Sequence, residues 1–281
     1  TAGLLCTDMA IDIHDISLFI DIGTNGEIVI GNTDFLMSCA CSAGPAFEGG
    51  GIECGVRAAA GAIEKVEVDP ETARPGCTTI GNEPPLGVCG SGMIDLLANL
   101  LKTGWINRRG ELDRTRTSEH IEVGGRRARY LLVPAGESAT GKPISISDGE
   151  IENVIRAKAA IYSACALMLQ QLAIGFDDLE QIIIAGGFGR YLPLEKAITI
   201  GLLPDLPRGR FKFIGNASLM GSTMVVLSQE FRRRKLGLTR RLTYADLSNN
   251  PGYMEEYMAA MFLPHTDAER FPTVQKSLAL L

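Results

Sequence analysis

The chain has 281 residues, 46% of them hydrophobic, with 33 acidic and 27 basic residues and a net charge of −6. That length and apolar content suit one large α/β domain or two lobes and exclude global disorder. The negative balance argues against a nucleic-acid binder dominated by phosphate contacts, and no apolar run reaches the ~18 residues of a membrane span. No signal peptide is visible, so a cytoplasmic protein with neither nucleic acid nor membrane as partner is expected. The chain opens at Thr1 directly into Ala2-Gly3-Leu4-Leu5, which reads as a domain cut from a longer protein.

In chain order, residues 18–23 and 27–31 read as two strands joined through Thr24-Asn25-Gly26, because Asn-Gly between apolar runs is a strong hairpin signal. A third strand is expected over 35–41. The glycine-rich run 42–51 then leads to a short helix expected over 52–61. Two short strands and a Pro/Gly loop fill 62–85, and the 3.6-residue spacing of Met93, Leu96, Leu97, Leu100 and Leu101 predicts a helix over 93–103. Residues 106–147 are charged and irregular, with candidate strands at 128–133 and 143–146, and read as an insertion or small subdomain. Ser147-Asp148-Gly149-Glu150 is a capping box that starts a long helix to about Ala173, stopped at Gly175. A buried strand over 181–185 follows. A helix over 193–200, a strand over 211–214, a helix from 215 to about Arg234 and one near 252–262 complete the chain. The cluster Arg232-Arg233-Arg234-Lys235 would then close a helix and complement its dipole.

The order of these elements predicts an α/β fold, one mixed sheet with helices on its faces. Seven scattered cysteines without a C-x-x-C pair behave as small buried hydrophobes. Cys39 and Cys41 share a strand face but are too few for a zinc or iron–sulfur site. Neither a P-loop pattern nor a dinucleotide-binding pattern occurs. Cys89-Gly90-Ser91-Gly92 fails the nucleophile-elbow frame, since Cys89 stands where its first glycine belongs, and reads as the start of a helix.

Two glycine-punctuated turns remain. One follows an apolar run at Asp21-Ile22-Gly23-Thr24-Asn25-Gly26; the other is Ala185-Gly186-Gly187-Phe188-Gly189-Arg190. Each is expected to need positive φ or close backbone approach, and bare backbone amides at a strand end suit phosphate or nucleotide. Taken alone, each also suits a plain tight turn. Together they suggest a nucleotide site built from distant segments.

The two turns resemble those of the actin-like ATPase superfamily (ASKHA, ribonuclease H-like fold), where a D-x-G-T hairpin holds the phosphates and a G-G turn lies under the adenosine. Gly215-Asn216-Ala217-Ser218 resembles the hinge helix that follows. Longer segments, including 21–32 (DIGTNGEIVIGN), 42–63, 87–101, 151–172, 182–207 and 213–222, resemble the C-terminal domain of reductive activators of corrinoid proteins.

That resemblance implies that residues 1–281 form a nucleotide-binding domain, the second lobe of an actin-like ATPase. The middle domain and the ferredoxin-like [2Fe-2S] domain of such proteins are not in this sequence. It implies ATP and Mg as cofactors, a corrinoid protein as partner and a homodimer. The activity implied is ATP-dependent reduction of Co(II) corrinoid to Co(I), which this half-cleft alone would support weakly or not at all.

Site roles follow from the resemblance. Asp21 is the expected catalytic residue and holds Mg through water. Gly23, Thr24, Asn25 and Gly26 present amides to phosphate. Gly186, Gly187 and Gly189 leave room for the nucleoside, and Phe188 or Arg190 stacks on the base. Glu27 and Glu48 either hold water bound to the magnesium or are surface residues. Two other readings stand beside this one: an iron–sulfur activase of the acyl-CoA dehydratase type, and a non-catalytic dimerisation or docking module with a vestigial cleft.

Overall fold

The structure is a computed structural model that describes residues 1–9, 14–125, 127–187 and 192–279. The chain divides into two compact units. The first comprises Thr1–Ser42, Ala160–Tyr191 and Leu206–Tyr257; the second comprises Ala43–Ala159, Leu192–Asp205 and Met258–Leu281.

The first unit is built on a six-stranded mixed sheet. The hairpin β1 (Ser17–Ile22) and β2 (Gly26–Gly31) is antiparallel and continues into antiparallel β3 (Leu36–Cys41). On its other side β1 pairs in parallel with a later strand, Gln181–Ala185, which pairs in parallel with Phe211–Gly215 at one edge. A short strand, Leu242–Tyr244, adds in parallel to β3 at the opposite edge. Strand alternation sends Leu18, Ile20, Ile22, Ile28 and Ile30 to one face, all fully buried. Phe19, Val29, Leu36, Ile183 and Ala185 form the core of the other face with Leu4, Leu5, Met9, Ala217 and Leu238.

The second unit holds two three-stranded sheets. One is made of β4 (Ala62–Val68), β5 (Pro75–Thr79) and β6 (Gly87–Val88), and the helix α1 (Gly90–Lys102) packs on β4. Gly92 is glycine because a Cβ there would meet the Ile63 carbonyl oxygen at 2.2 Å. The Gly90-Ser91-Gly92 turn is thus explained by helix–strand packing. Buried Asp95 on α1 accepts from the Val66 amide (2.7 Å) and lies 3.5 Å from the Lys196 ammonium. The other sheet is an antiparallel meander of β7 (Ile121–Gly124), β8 (Arg127–Val133) and β9 (Ile144–Ser147).

The helix α2 (Asp148–Gln171) follows β9 directly. Glu150 accepts from both the amide (2.8 Å) and the hydroxyl (2.5 Å) of Ser147, the glutamate half of the capping box expected from the sequence, while the serine hydroxyl donates to Glu150 instead of accepting from its amide. Residues 160–171 of α2 belong to the first unit, where Met168 Sδ meets Cys39 Sγ at 3.1 Å. The strand β10 (Gln181–Ala185), the helix α3 (Leu194–Thr199) and the strand β11 (Phe211–Gly215) come next. Helices α4 (Ala217–Leu227) and α5 (Gln229–Arg241), the strand β12 (Leu242–Tyr244), α6 (Tyr253–Ala260) and α7 (Pro272–Leu278) finish the chain.

Two expectations are corrected. Residues 52–61 are not helical: Gly55 bridges Val88, and its Cβ would fall 2.1 Å from the Gly49 carbonyl, which only a glycine-bearing extended turn can satisfy. The single helix expected from 215 to Arg234 is two helices, broken at Ser228, which has extended φ/ψ. The strand β12 and the helix α7 were not foreseen. No helix among the described residues is long and apolar enough to cross a membrane.

Candidate functional site

The sheet of the first unit brings the two glycine turns together. β1 and β10 run parallel with Asp21 opposite Ala185, so the hairpin turn and the Gly186-Gly187 turn leave the same sheet end side by side. β11 ends at that edge too, and the Gly186 amide donates to the Gly215 carbonyl at 3.0 Å.

Gly186 is held in the left-handed region at φ +105°, and a Cβ there would sit 2.3 Å from the Ile22 carbonyl oxygen and 3.0 Å from Asp21 Oδ1. Its glycine identity is therefore demanded by the protein itself. Gly187 differs: among the described residues an added Cβ meets nothing within 4 Å. Of the two, only Gly187 leaves room that a ligand can use. Phe188, Gly189 and Arg190 lie outside the described residues.

The hairpin turn comprises Gly23, Thr24 and Asn25; Gly26 already pairs with Ile22 as the first residue of β2. The Gly23 amide donates to the Asn25 carbonyl at 3.0 Å, closing the turn. Gly26 meets the expectation through close approach, not positive φ. It is glycine because a Cβ would lie 2.7 Å from Cys41 Sγ. Thr24 and Asn25 are exposed.

Asp21 lies directly opposite Glu27 across the hairpin, so both carboxylates rise from one sheet face. Asp21 Oδ2 accepts from the Ser218 hydroxyl at 2.7 Å. Ser218 is in the first turn of α4, whose N-cap Asn216 accepts from the Leu219 amide at 3.0 Å. This fixes the helix start and with it the Ser218 hydroxyl. The segment 215–218 was noted in the sequence, but its hydroxyl contact with Asp21 spans 197 positions and leaves no local signal.

Partial burial raises the Glu27 carboxyl above its usual 4.5, and the neighbouring Asp21 charge raises it further. A raised carboxyl binds its proton more tightly in the folded state, so its ionisation costs stability. The cost is absent below about pH 4.5 and grows as pH rises through the raised pKa. Glu27→Gln should therefore raise Tm at neutral pH and leave it unchanged in acid, as a pH series of melting curves would read. A Tm gain equal at every pH would contradict this origin.

Glu48 is an exposed residue of the second unit, on a 3-10 turn over Pro45–Glu48. Burial pushes the Cys39 and Cys41 thiols up to about 12 each, which suits inert packing residues.

Asp21, Glu27 and Ser218 offer two carboxylates and a hydroxyl. Among the described residues no group of three or more His, Cys, Asp and Glu side chains is placed to hold a metal. This donor set fits a magnesium ion that keeps most of its waters and shares a phosphate ligand, not an all-protein cage. A mixed sheet in which a parallel strand pair ends in two glycine turns fits the ASKHA domain class, an ATP-binding class.

Comparison with known proteins narrows the class. Residues 15–275 match the family model of the C-terminal domain of RACo, the ASKHA domain, and the chain belongs to that family. It is 39% identical over 250 residues to the corrinoid activation enzyme RamQ of Eubacterium limosum, a match covering 86% of this chain and 42% of RamQ. It is 27% identical over 263 residues to a [Co(II) methylated amine-specific corrinoid protein] reductase of Methanosarcina barkeri, covering 86% and 44%. A solved reductive activator for corrinoid, iron-sulfur protein superposes with a TM-score of 0.91 at 46% identity, over 97% of this chain and 43% of that one. The chain thus spans less than half the length of the relatives it matches.

Proposed function

We propose that this chain is the ATP-binding part of an activator that returns an inactive Co(II) corrinoid protein to Co(I). The observation that carries the reading is the pairing of the Asp21 hairpin with the open Gly187 turn at one sheet end, in a chain of the RACo C-terminal family. One electron is needed per cobalt. In this reading it comes from a [2Fe-2S] cluster in a ferredoxin-like domain outside this sequence, and ATP hydrolysis drives the uphill transfer.

The residues divide the work. Asp21 orients water around Mg, with Glu27 beside it as a second acceptor. Ser218 is a positioning residue: its hydrogen bond holds Asp21 Oδ2 in one orientation. Thr24, Asn25 and Gly26 face the phosphates, while the Gly23 amide shapes the turn that presents them. Gly187 leaves the space for ribose and base. The meander inside residues 106–147 is an inserted subdomain, the working protein is a cytoplasmic homodimer, and nucleotide state shifts its grip on the corrinoid protein.

The test is cobalt spectroscopy. The protein extended upstream to the length of its relatives, mixed with Co(II) corrinoid protein and a reductant, should convert the Co(II) absorbance to Co(I) only when Mg-ATP is present. Equal conversion without ATP would remove the proposed coupling.

A further inference from the structure

The basic cluster 232–235 does not close a helix, as its sequence position suggests. The break at Ser228 places Arg232 and Arg233 at the fourth and fifth positions of α5, near its electropositive end, where the helix dipole does not favour cations. Two inward residues anchor the helix: Leu238 is buried and Phe231 packs against the core of the first unit. Arg234 lies over the Phe231 ring at 5.4 Å, and Arg241 donates to the Thr33 carbonyl.

The outward stripe is different. Arg232, Arg233, Leu236 and Arg240 fall at helical spacing on one exposed face. Among the described residues, none of these three arginines has a carboxylate partner in a recorded ion pair. Leu236 between them is 49% exposed, and Val226 and Leu227, just before the break, are 75% and 79% exposed. Arginines flanking an exposed leucine on one helix face match the composition of a protein interface.

We infer that the outward face of α5 docks an acidic face of a partner protein, with Leu236 as its apolar contact and Arg232, Arg233 and Arg240 as carboxylate clamps. The stripe is a local excess of positive charge in a chain of net charge −6. That balance disfavours a long polyanion such as nucleic acid, which would meet the whole acidic molecule, and favours a short acidic patch read at contact range within about a Debye length, ~8 Å at physiological salt. Arginine suits this role because its fork donates two parallel hydrogen bonds to a carboxylate.

The test needs no nucleotide, so it is separable from the ATPase reading. Fluorescence anisotropy would follow a labelled helical peptide carrying Asp and Glu around a leucine stripe. Competitors are single-stranded DNA of equal charge and vesicles of phosphatidylserine. The inference predicts that the peptide binds, and that R232Q/R233Q/R240Q binds it more than about tenfold more weakly with an unchanged melting curve. Leu236→Ser should also weaken it, and R232K/R233K/R240K should recover part of the affinity. Peptide binding equal in parent and glutamine variant, or tighter binding to DNA or vesicles than to the peptide, would overturn it.

Discussion

Gly186→Ala is expected to be strongly destabilising, and Gly187→Ala next to it nearly neutral. At Gly186 the new Cβ meets the Ile22 carbonyl at 2.3 Å, and the backbone is fixed at φ +105°, where L-residues are strained. Neither problem can relax cheaply. The Ile22 carbonyl belongs to the central strand, and the Gly186 amide is tied to the Gly215 carbonyl. Backbone strain and overpacking each cost about 1–3 kcal/mol, so a loss of about 3 kcal/mol or more is expected. That corresponds to a fall in Tm of roughly 6–12 °C in a protein of this size. At Gly187 the Cβ enters open space, and the change should stay within about 0.5 kcal/mol. Thermal melts of the two variants read the contrast directly, and similar Tm values for both would contradict the assignment of structural and ligand-side glycines.

The second large effect falls on chemistry. In the full-length protein, Asp21→Ala should lower kcat/KM for ATP by about 10²–10³, the usual scale for removing a group that places charge or water at a transferring phosphoryl. Ser218→Ala should cost less, about tenfold, because it frees the Asp21 carboxylate without removing it. The two losses should not add, since Ser218 acts through Asp21; in the double variant the serine change should have almost no further effect. Phosphate release under saturating corrinoid protein measures all three. Additive losses would mean that Ser218 contributes by a separate route.

The elements with strong local signals were legible in the sequence. The Asn-Gly hairpin, the capping box at Ser147–Glu150 and the run Ile182–Ala185 all appear where local chemistry demands them. The break at Ser228 was not legible, because apolar and charged residues on both sides suit a helix. It is made by tertiary packing, which turns Phe231 and Leu238 inward. β12 is three residues long and exists only because β3 offers it an edge.

At the candidate site the sequence located both turns but not the division of labour inside them. The burden on Gly186 comes from the Ile22 carbonyl, and that on Gly26 from Cys41 Sγ, contacts that pairing creates and spacing does not encode. The same holds for Ser218 reaching Asp21 across 197 positions.

The central claim is that nucleotide sits between the Asp21 hairpin and the Gly187 turn, and titration calorimetry with Mg-ATP tests it most directly. The parent chain, Gly187→Val and Asp21→Ala would be titrated alongside the same set in the full-length protein. The expected result is binding by the parent that Gly187→Val weakens more than about tenfold by filling the open space, with the fold intact by melting. Equal affinity in parent and Gly187→Val, or no heat from either length of the parent protein, would contradict a nucleotide at this site.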